Sequence, residues 1–207
     1  GLHLMSLINS TAIPSGATDY ELEQSLRFNQ PDDATLSKTF ASAGNRRTWT
    51  FSCWAKIGNA NAESGNQLGI FGTYTNGNDT ANIQVDGTSG EFHFEDYSGS
   101  YNALQVTEAK LRDMGAWYHF MVVFDTTQGT AANRVKLYVN GTQMTTKTGG
   151  NNGYPDQNFE GKFNNTAEHK IGMVNGTYCW DGYLGEINFI DGAAKVPADF
   201  GETGDYG

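Results

Sequence analysis

The stretch WTFSCWAKI, residues 49–57, decides the fold class. Successive side chains of an extended chain leave on opposite faces. Trp49, Phe51, Cys53, Ala55 and Ile57 therefore make one apolar face, and Thr50, Ser52, Trp54 and Lys56 take the other. That is a strand with a core side. Trp54, alone among polar neighbours, is expected to pack beneath a loop rather than to line an open groove. Further on, WYHFMVVFD (117–125) is apolar on both sides, with Trp117, His119, Met121 and Val123 opposite Tyr118, Phe120, Val122 and Phe124. Such a strand is central and covered twice. His119 then reads as a hydrogen-bonded core or edge histidine rather than a metal ligand.

Short β-branched and aromatic runs, separated by Gly, Asn, Asp and Ser clusters, continue along nearly the whole chain, which predicts an all-β sandwich or barrel. Strands are expected at 25–28, 34–38, 49–57, 67–71, 81–85, 91–96, 103–107, 117–125, 134–139 with a return at Gln143, and 183–190. Asn140-Gly141 supplies the two positive-φ positions of a type I′ hairpin. VDGTSGEF (85–92) is a looser hairpin that delivers the chain into EFHFED (91–96). There Glu91, His93 and Glu95 share one face and Phe92 and Phe94 the other. The polar connections NGNDT (76–80) and KTGGNNGYPDQNFEGKFNNT (147–166) exceed ordinary hairpin loops, and the second carries Tyr154, Phe159 and Phe163. Loops of this kind bind partners or stand as ordered insertions.

The chain has 207 residues and a formal net charge of -10. That length suits one domain with one core. Apart from Arg46 and Arg47 there is no basic cluster, so a nucleic-acid backbone and an anionic membrane are disfavoured as partners, and the acidity is read as solubility. There is no apolar run of about 18 residues to span a bilayer, and GLHLMSLINSTAIPSG lacks the charged and long apolar regions of a signal peptide. Met5-Ser6 fits a native start, and the end at GETGDYG fits a cut within a longer protein. Cys53 and Cys179 form no CxxC pair; they are expected as buried thiols, with a bridge between packed strands as the alternative. Triplets such as Asn140-Gly141-Thr142 and Asn175-Gly176-Thr177 are what an Asn-, Gly- and Thr-rich chain produces by chance, and no glycan is assigned to them.

The order SLRFN, AGNRRTWTFSCWAKIG, GAWYHFMVVFD, VKLYVNGTQM and WDGYLGEINFIDG resembles the laminin-G-like branch of the concanavalin A-like jelly rolls. This resemblance runs from about Ser25 to Gly192 and implies a two-sheet antiparallel jelly-roll sandwich over 25–192. Residues 1–24 are then an N-terminal arm or linker, either docked on a neighbouring subunit or disordered, and 193–207 a tail able to lead on to further domains. More narrowly, LSKTFASAGNRRTWTFSCWAK with GYLGEINFIDG and a trailing DFGE resembles the form found in structural proteins of marine tailed phages. That implies a virion part such as a fibre, spike or capsid appendage, made in the host cytoplasm, with a homo-oligomer expected.

The same superfamily contains laminarinase-type glycosidases whose active strand reads E-x-D-x-E, one substitution from EFHFE. A retaining pair needs its carboxyls about 5 to 5.5 Å apart, whereas Glu91 and Glu95 have α-carbons roughly 13 Å apart. His93 in the Asp position would also alter the charge balance that separates the two carboxyl pKa values. The reading preferred here is a non-catalytic outer strand with solvated Glu and His. No GxSxG, Walker or dinucleotide fingerprint offers another enzyme class.

Jelly rolls of this type often hold calcium at the sandwich rim; Asp79, Asp86, Asp125 and Asp181 lie at predicted strand ends, but Asx turns explain them as well, and no metal or cofactor is assigned. Sugar recognition would rest on an aromatic platform with polar groups at loop tips. Tyr178, Trp180 and Asp181 in TYCWDGY form the best cluster, and Tyr97 and Tyr101 in DYSGSYN the second. The expected function is a non-enzymatic phage virion component adhering to host-surface glycans. The alternatives are a purely structural decoration or assembly module bound to another virion protein, and a glycoside hydrolase using Glu91 and Glu95.

Overall fold

In the computed structural model, which describes Leu22 and residues 24–60, 67–113 and 115–201, the alternating segments become strands of two large antiparallel sheets. The first sheet has the order β1-β14-β3-β8-β9-β10, built from Leu26–Phe28, Gly182–Asp191, Thr48–Ile57, Trp117–Asp125, Val135–Val139 and Thr142–Gln143. The second has the order β2-β11-β4-β5-β6-β7, built from Leu36–Thr39, Glu168–Ile171, Gln67–Asn76, Asp79–Asp86, Glu91–Tyr97 and Tyr101–Lys110. A small hairpin, β12 (Met173–Val174) with β13 (Tyr178–Cys179), completes the set among the described residues. This is the expected jelly-roll sandwich.

Its core is the inner face read from the sequence. Trp49 stacks on Phe124 at 5.0 Å and on Phe189 at 5.5 Å, while Phe71 stacks on Phe51 at 5.1 Å and on Phe163 at 4.7 Å. Offset aromatic contacts of this sort add to the burial of each ring. Phe163 comes from the long polar connection 147–166, so part of that supposed surface loop is core. Asp96 anchors it there: its carboxylate accepts from the Lys162 backbone N–H at 2.7 Å and from Asn102 at 2.9 Å. Cys53 lies in the core with its thiol pushed up by burial, Cys179 lies in β13, and both are free. The Asn140-Gly141 turn between β9 and β10 has φ of 49° and 76°, as a type I′ hairpin requires.

β8 is covered on both faces. Residues 193–200, which the sequence assigned to the tail, lie against the outer face of the first sheet: Thr50 Oγ donates to the Ala193 carbonyl at 2.8 Å and accepts from the Lys195 N–H at 2.9 Å. The Phe200 ring reaches to 6.1 Å from His119. Beneath that segment His119 is buried and shares a 2.7 Å hydrogen bond with Ser52, the satisfied histidine expected. Trp54 packs beside it, ring centroids 5.3 Å apart. The arm at residues 1–21, with Met5-Ser6, and the end at 202–207 lie outside the described residues.

Candidate functional site

The outer face of the second sheet collects the polar side chains that alternate with its core residues. On β5, Thr80, Asn82, Gln84 and Asp86 point away from Ala81, Ile83 and Val85. The register places Asn82 opposite Glu95, Gln84 opposite both His93 and Gly69, and Gln67 opposite Asp86. On the next strand Tyr101 faces Tyr97. The hairpin β12–β13 lies over this face because β4 carries glycine at 69 and 72: a Cβ at Gly69 would strike the Tyr178 carbonyl and the Val174 nitrogen, and one at Gly72 the Met173 carbonyl. Its turn, Asn175-Gly176, has φ of 50° and 68° and closes with Thr177 N–H donating to the Val174 carbonyl at 3.1 Å.

The turn is tied to the sheet through Asn82. That amide donates to Glu95 Oε1, and to Asn175 Oδ1 at 2.9 Å, while its own oxygen accepts the Asn175 N–H at 3.3 Å. Glu95 is thereby buried, at 8% exposure, without a cation among the described residues. Burial holds its carboxyl above the usual range despite the hydrogen bonds from Asn82 and Asn175. Glu91, also 8% exposed, has the opposite environment. Burial opposes its charge too, but Lys147 Nζ at 2.7 Å, with Ser89 and Lys110, outweighs it and lowers the pKa. The sequence expected these two glutamates on a solvated side. They are covered because the 144–153 segment runs along the edge of β7, with Lys147 N–H donating to the Val106 carbonyl at 2.8 Å, and because the Asn175 turn sits over Glu95.

Between the two carboxyls lies His93, kept neutral chiefly by burial, which outweighs the pull of Asp86 and Glu91. Its Nε2 is 3.9 Å from Glu91, beyond hydrogen-bond reach. Among the described residues, His93 Nε2, Gln84 Oε1 and Gln67 Oε1 are buried with no hydrogen-bond partner. Unpaired buried polar atoms are costly, and these three lie on neighbouring strands of one face.

The candidates read from the sequence divide. Trp180 is 0% exposed and belongs to the core, so it offers no platform; the TYCWDGY cluster does not assemble. Asp181 is buried against Arg27 at 2.8 Å, and Tyr178 is half-buried in the hairpin. Gly182, at φ 145°, lies tight against the Lys56 carbonyl where the chain enters β14. Tyr97 and Tyr101 do meet, edge to face at 5.1 Å, and Tyr101 is 40% exposed on the same face as Glu95. Burial, and then the Glu95 charge, raise its phenol pKa.

Of the four rim aspartates, Asp86 caps an Asx turn through Thr88 and Ser89 N–H groups at 2.8 and 2.7 Å. Asp125 holds Thr127 and Gln128, and Asp79 pairs with Lys162. Gln67, Asn82, Gln84 and Asn175 were missed as site residues. The alternation of Asn82 and Gln84 with Ala81, Ile83 and Val85 was the visible signal for those two; Gln67 and Asn175 had none.

A family model described as the concanavalin A-like lectin/glucanases superfamily (Laminin_G_3) matches residues 29–197. The chain belongs to that family. Among solved structures, this lectin-like domain is similar to domain 4 of an extracellular arabinanase from Geobacillus stearothermophilus, in complex with arabinotriose, at TM-score 0.55 and 19% identity, over 75% of this chain and 65% of that one. It is similar to the CBM40 of Ruminococcus gnavus IT-sialidase at TM-score 0.53 and 13% identity, over 81% of this chain and 96% of that one. Mouse laminin α1 domains LG4-5 match at TM-score 0.54 and 15% identity, over 86% of this chain and 48% of theirs. At these identities the likeness is one of fold. No match is found among curated proteins.

Proposed function

We propose that this domain binds glycans through the outer face of its second sheet and does so without cleaving them. The observation that carries the reading is the set of buried polar atoms, unpaired among the described residues, on Gln67, Gln84 and His93 beside the Tyr97–Tyr101 pair, whose Tyr101 is exposed. A saccharide presents both an apolar ring face and several hydroxyl donors, the two things this surface can satisfy. The similar arabinanase domain 4 was solved with arabinotriose, which is in keeping with the proposal. A binding role fits Glu91 better than a catalytic one, since Lys147 and Lys110 already occupy its carboxylate. The resemblance to phage structural proteins adds the setting: a virion component adhering to host-surface glycans.

A glycan array on the purified domain tests the binding. Selective retention of saccharides, weakened by Tyr101→Ala and by Gln84→Ala, is expected; absence of binding would leave the assembly-module alternative. Release of reducing ends from β-glucans, abolished by Glu95→Gln, would overturn the non-enzymatic part. Antibody labelling of particles tests the virion setting.

A further inference from the structure

We infer that the ligand of this face is an uncharged, hydroxyl-rich saccharide and that the face discriminates against sugars bearing carboxylate or sulfate; the inference rests on the glycan-binding reading above. The groups unpaired among the described residues ask for donors. Gln84 is 2% exposed with its Oε1 unpaired and Gln67 Oε1 is likewise buried and unpaired, while Glu95, already accepting from Asn82, puts a carboxylate at the Tyr101 end. Sugar hydroxyls donate to such acceptors, whereas an acidic substituent brings only further acceptors.

Charge points the same way. Asp86, Glu91 and Glu95 line the face, against Lys110 and Lys147, both of which lie on Glu91 Oε1 at 3.7 and 2.7 Å. Lys170, on β11 beyond the hairpin, is paired with Glu168 at 3.5 Å. The fork of a guanidinium, which recognises carboxylates best, is committed elsewhere: Arg27 to Asp181, Arg46 and Arg47 to Glu160, Arg134 to backbone carbonyls. Exposed Arg112 follows the end of β7. An anionic group near Glu95 would meet an uncompensated like charge in a poorly solvated place, which sets specificity by repulsion.

The test uses matched pairs sharing one neutral core, such as lactose against sialyllactose and xylan oligomers with and without glucuronate, titrated calorimetrically against the intact domain. Binding to the neutral members, with the acidic ones about tenfold weaker or more, is the expected result. Glu95→Gln, which removes the charge but keeps a side-chain oxygen able to accept, is expected to narrow that gap by favouring the acidic members relative to the neutral ones. Gln84→Ala is expected to weaken neutral binding about fivefold, one hydrogen bond's worth. Circular dichroism checks that each variant is folded. Equal or tighter binding of the acidic members would overturn the inference and leave the glycan-binding reading standing. Binding of neither set would overturn that reading itself.

Discussion

Phe163 shows how far local sequence can mislead. It stands among Gly, Lys and Asn in a stretch that reads as a surface connection, yet it is 1% exposed and stacks on Phe71 while meeting Trp49 edge-on at 5.4 Å. Nothing in its neighbours marks it as core, because its aromatic partners Phe71, Trp49 and Phe94 are 69 or more positions away and its seat is set by Asp96. Phe163→Ala should cost about 3–5 kcal/mol, as large-to-small changes in a close-packed core do. Urea denaturation should show a lower midpoint with an unchanged slope. The same connection also makes a contact that depends on pH. His169 Nε2 accepts the Asn164 N–H at 3.0 Å, so the ring proton sits on Nδ1 and is donated to the Ala167 carbonyl at 2.9 Å. Burial lowers its pKa below the ordinary 6.5, although the Ala167 contact works the other way. The folded state therefore resists protonation that the unfolded chain accepts. The stability this contact contributes is whole above about 6.5 and is lost as pH falls through the lowered folded value. Amide exchange at Asn164, corrected for intrinsic rate, should accelerate on acidification from pH 7 to 5, and unchanged protection would refute the assignment.

At the scale of elements, the long alternating strands were legible and the short ones were not. WTFSCWAKI and WYHFMVVFD announce β3 and β8 because each keeps an unbroken strand pattern over nine consecutive residues, alternating in the first and apolar on both faces in the second. EHKI, which becomes β11, has too few residues and too many charges to stand out, and it is a strand only because β2 and β4 hold it on both sides. The β12–β13 hairpin depends on an absence: two glycines in β4 that let it lie flat. Gly69→Val should force the hairpin off the sheet, since backbone atoms of Val174 and Tyr178 occupy the space its side chain needs. That displacement would separate Asn175 from Asn82 and leave Glu95 with fewer hydrogen bonds. A drop in melting temperature together with loss of saccharide retention is expected. A variant with wild-type melting and retention would show that the hairpin does not need its close seat. The candidate face was only half legible for the same reason. Tyr97 and Tyr101 belong to one local turn, whereas Gln67, Gln84 and Asn175 meet only through register and an overlying turn.

For the molecule as a whole, the charge of -10 and the two-layer architecture were plain from the sequence, because they depend on sums and repeats rather than on particular contacts. The order of strands carries a temporal meaning. In the first sheet β14 lies between β1 and β3, so a segment near the end of the domain separates two segments from its start. A ribosome emitting this chain from its N-terminus delivers β1 and β3 long before the strand that must come between them. The loop entropy of that distant pairing has to be met before the sheet gains from it, which makes such topologies slow to form. Nascent chains released before residue 182 should thus remain protease-sensitive, and acquisition of resistance should coincide with emergence of GYLGEINFID rather than grow gradually with length.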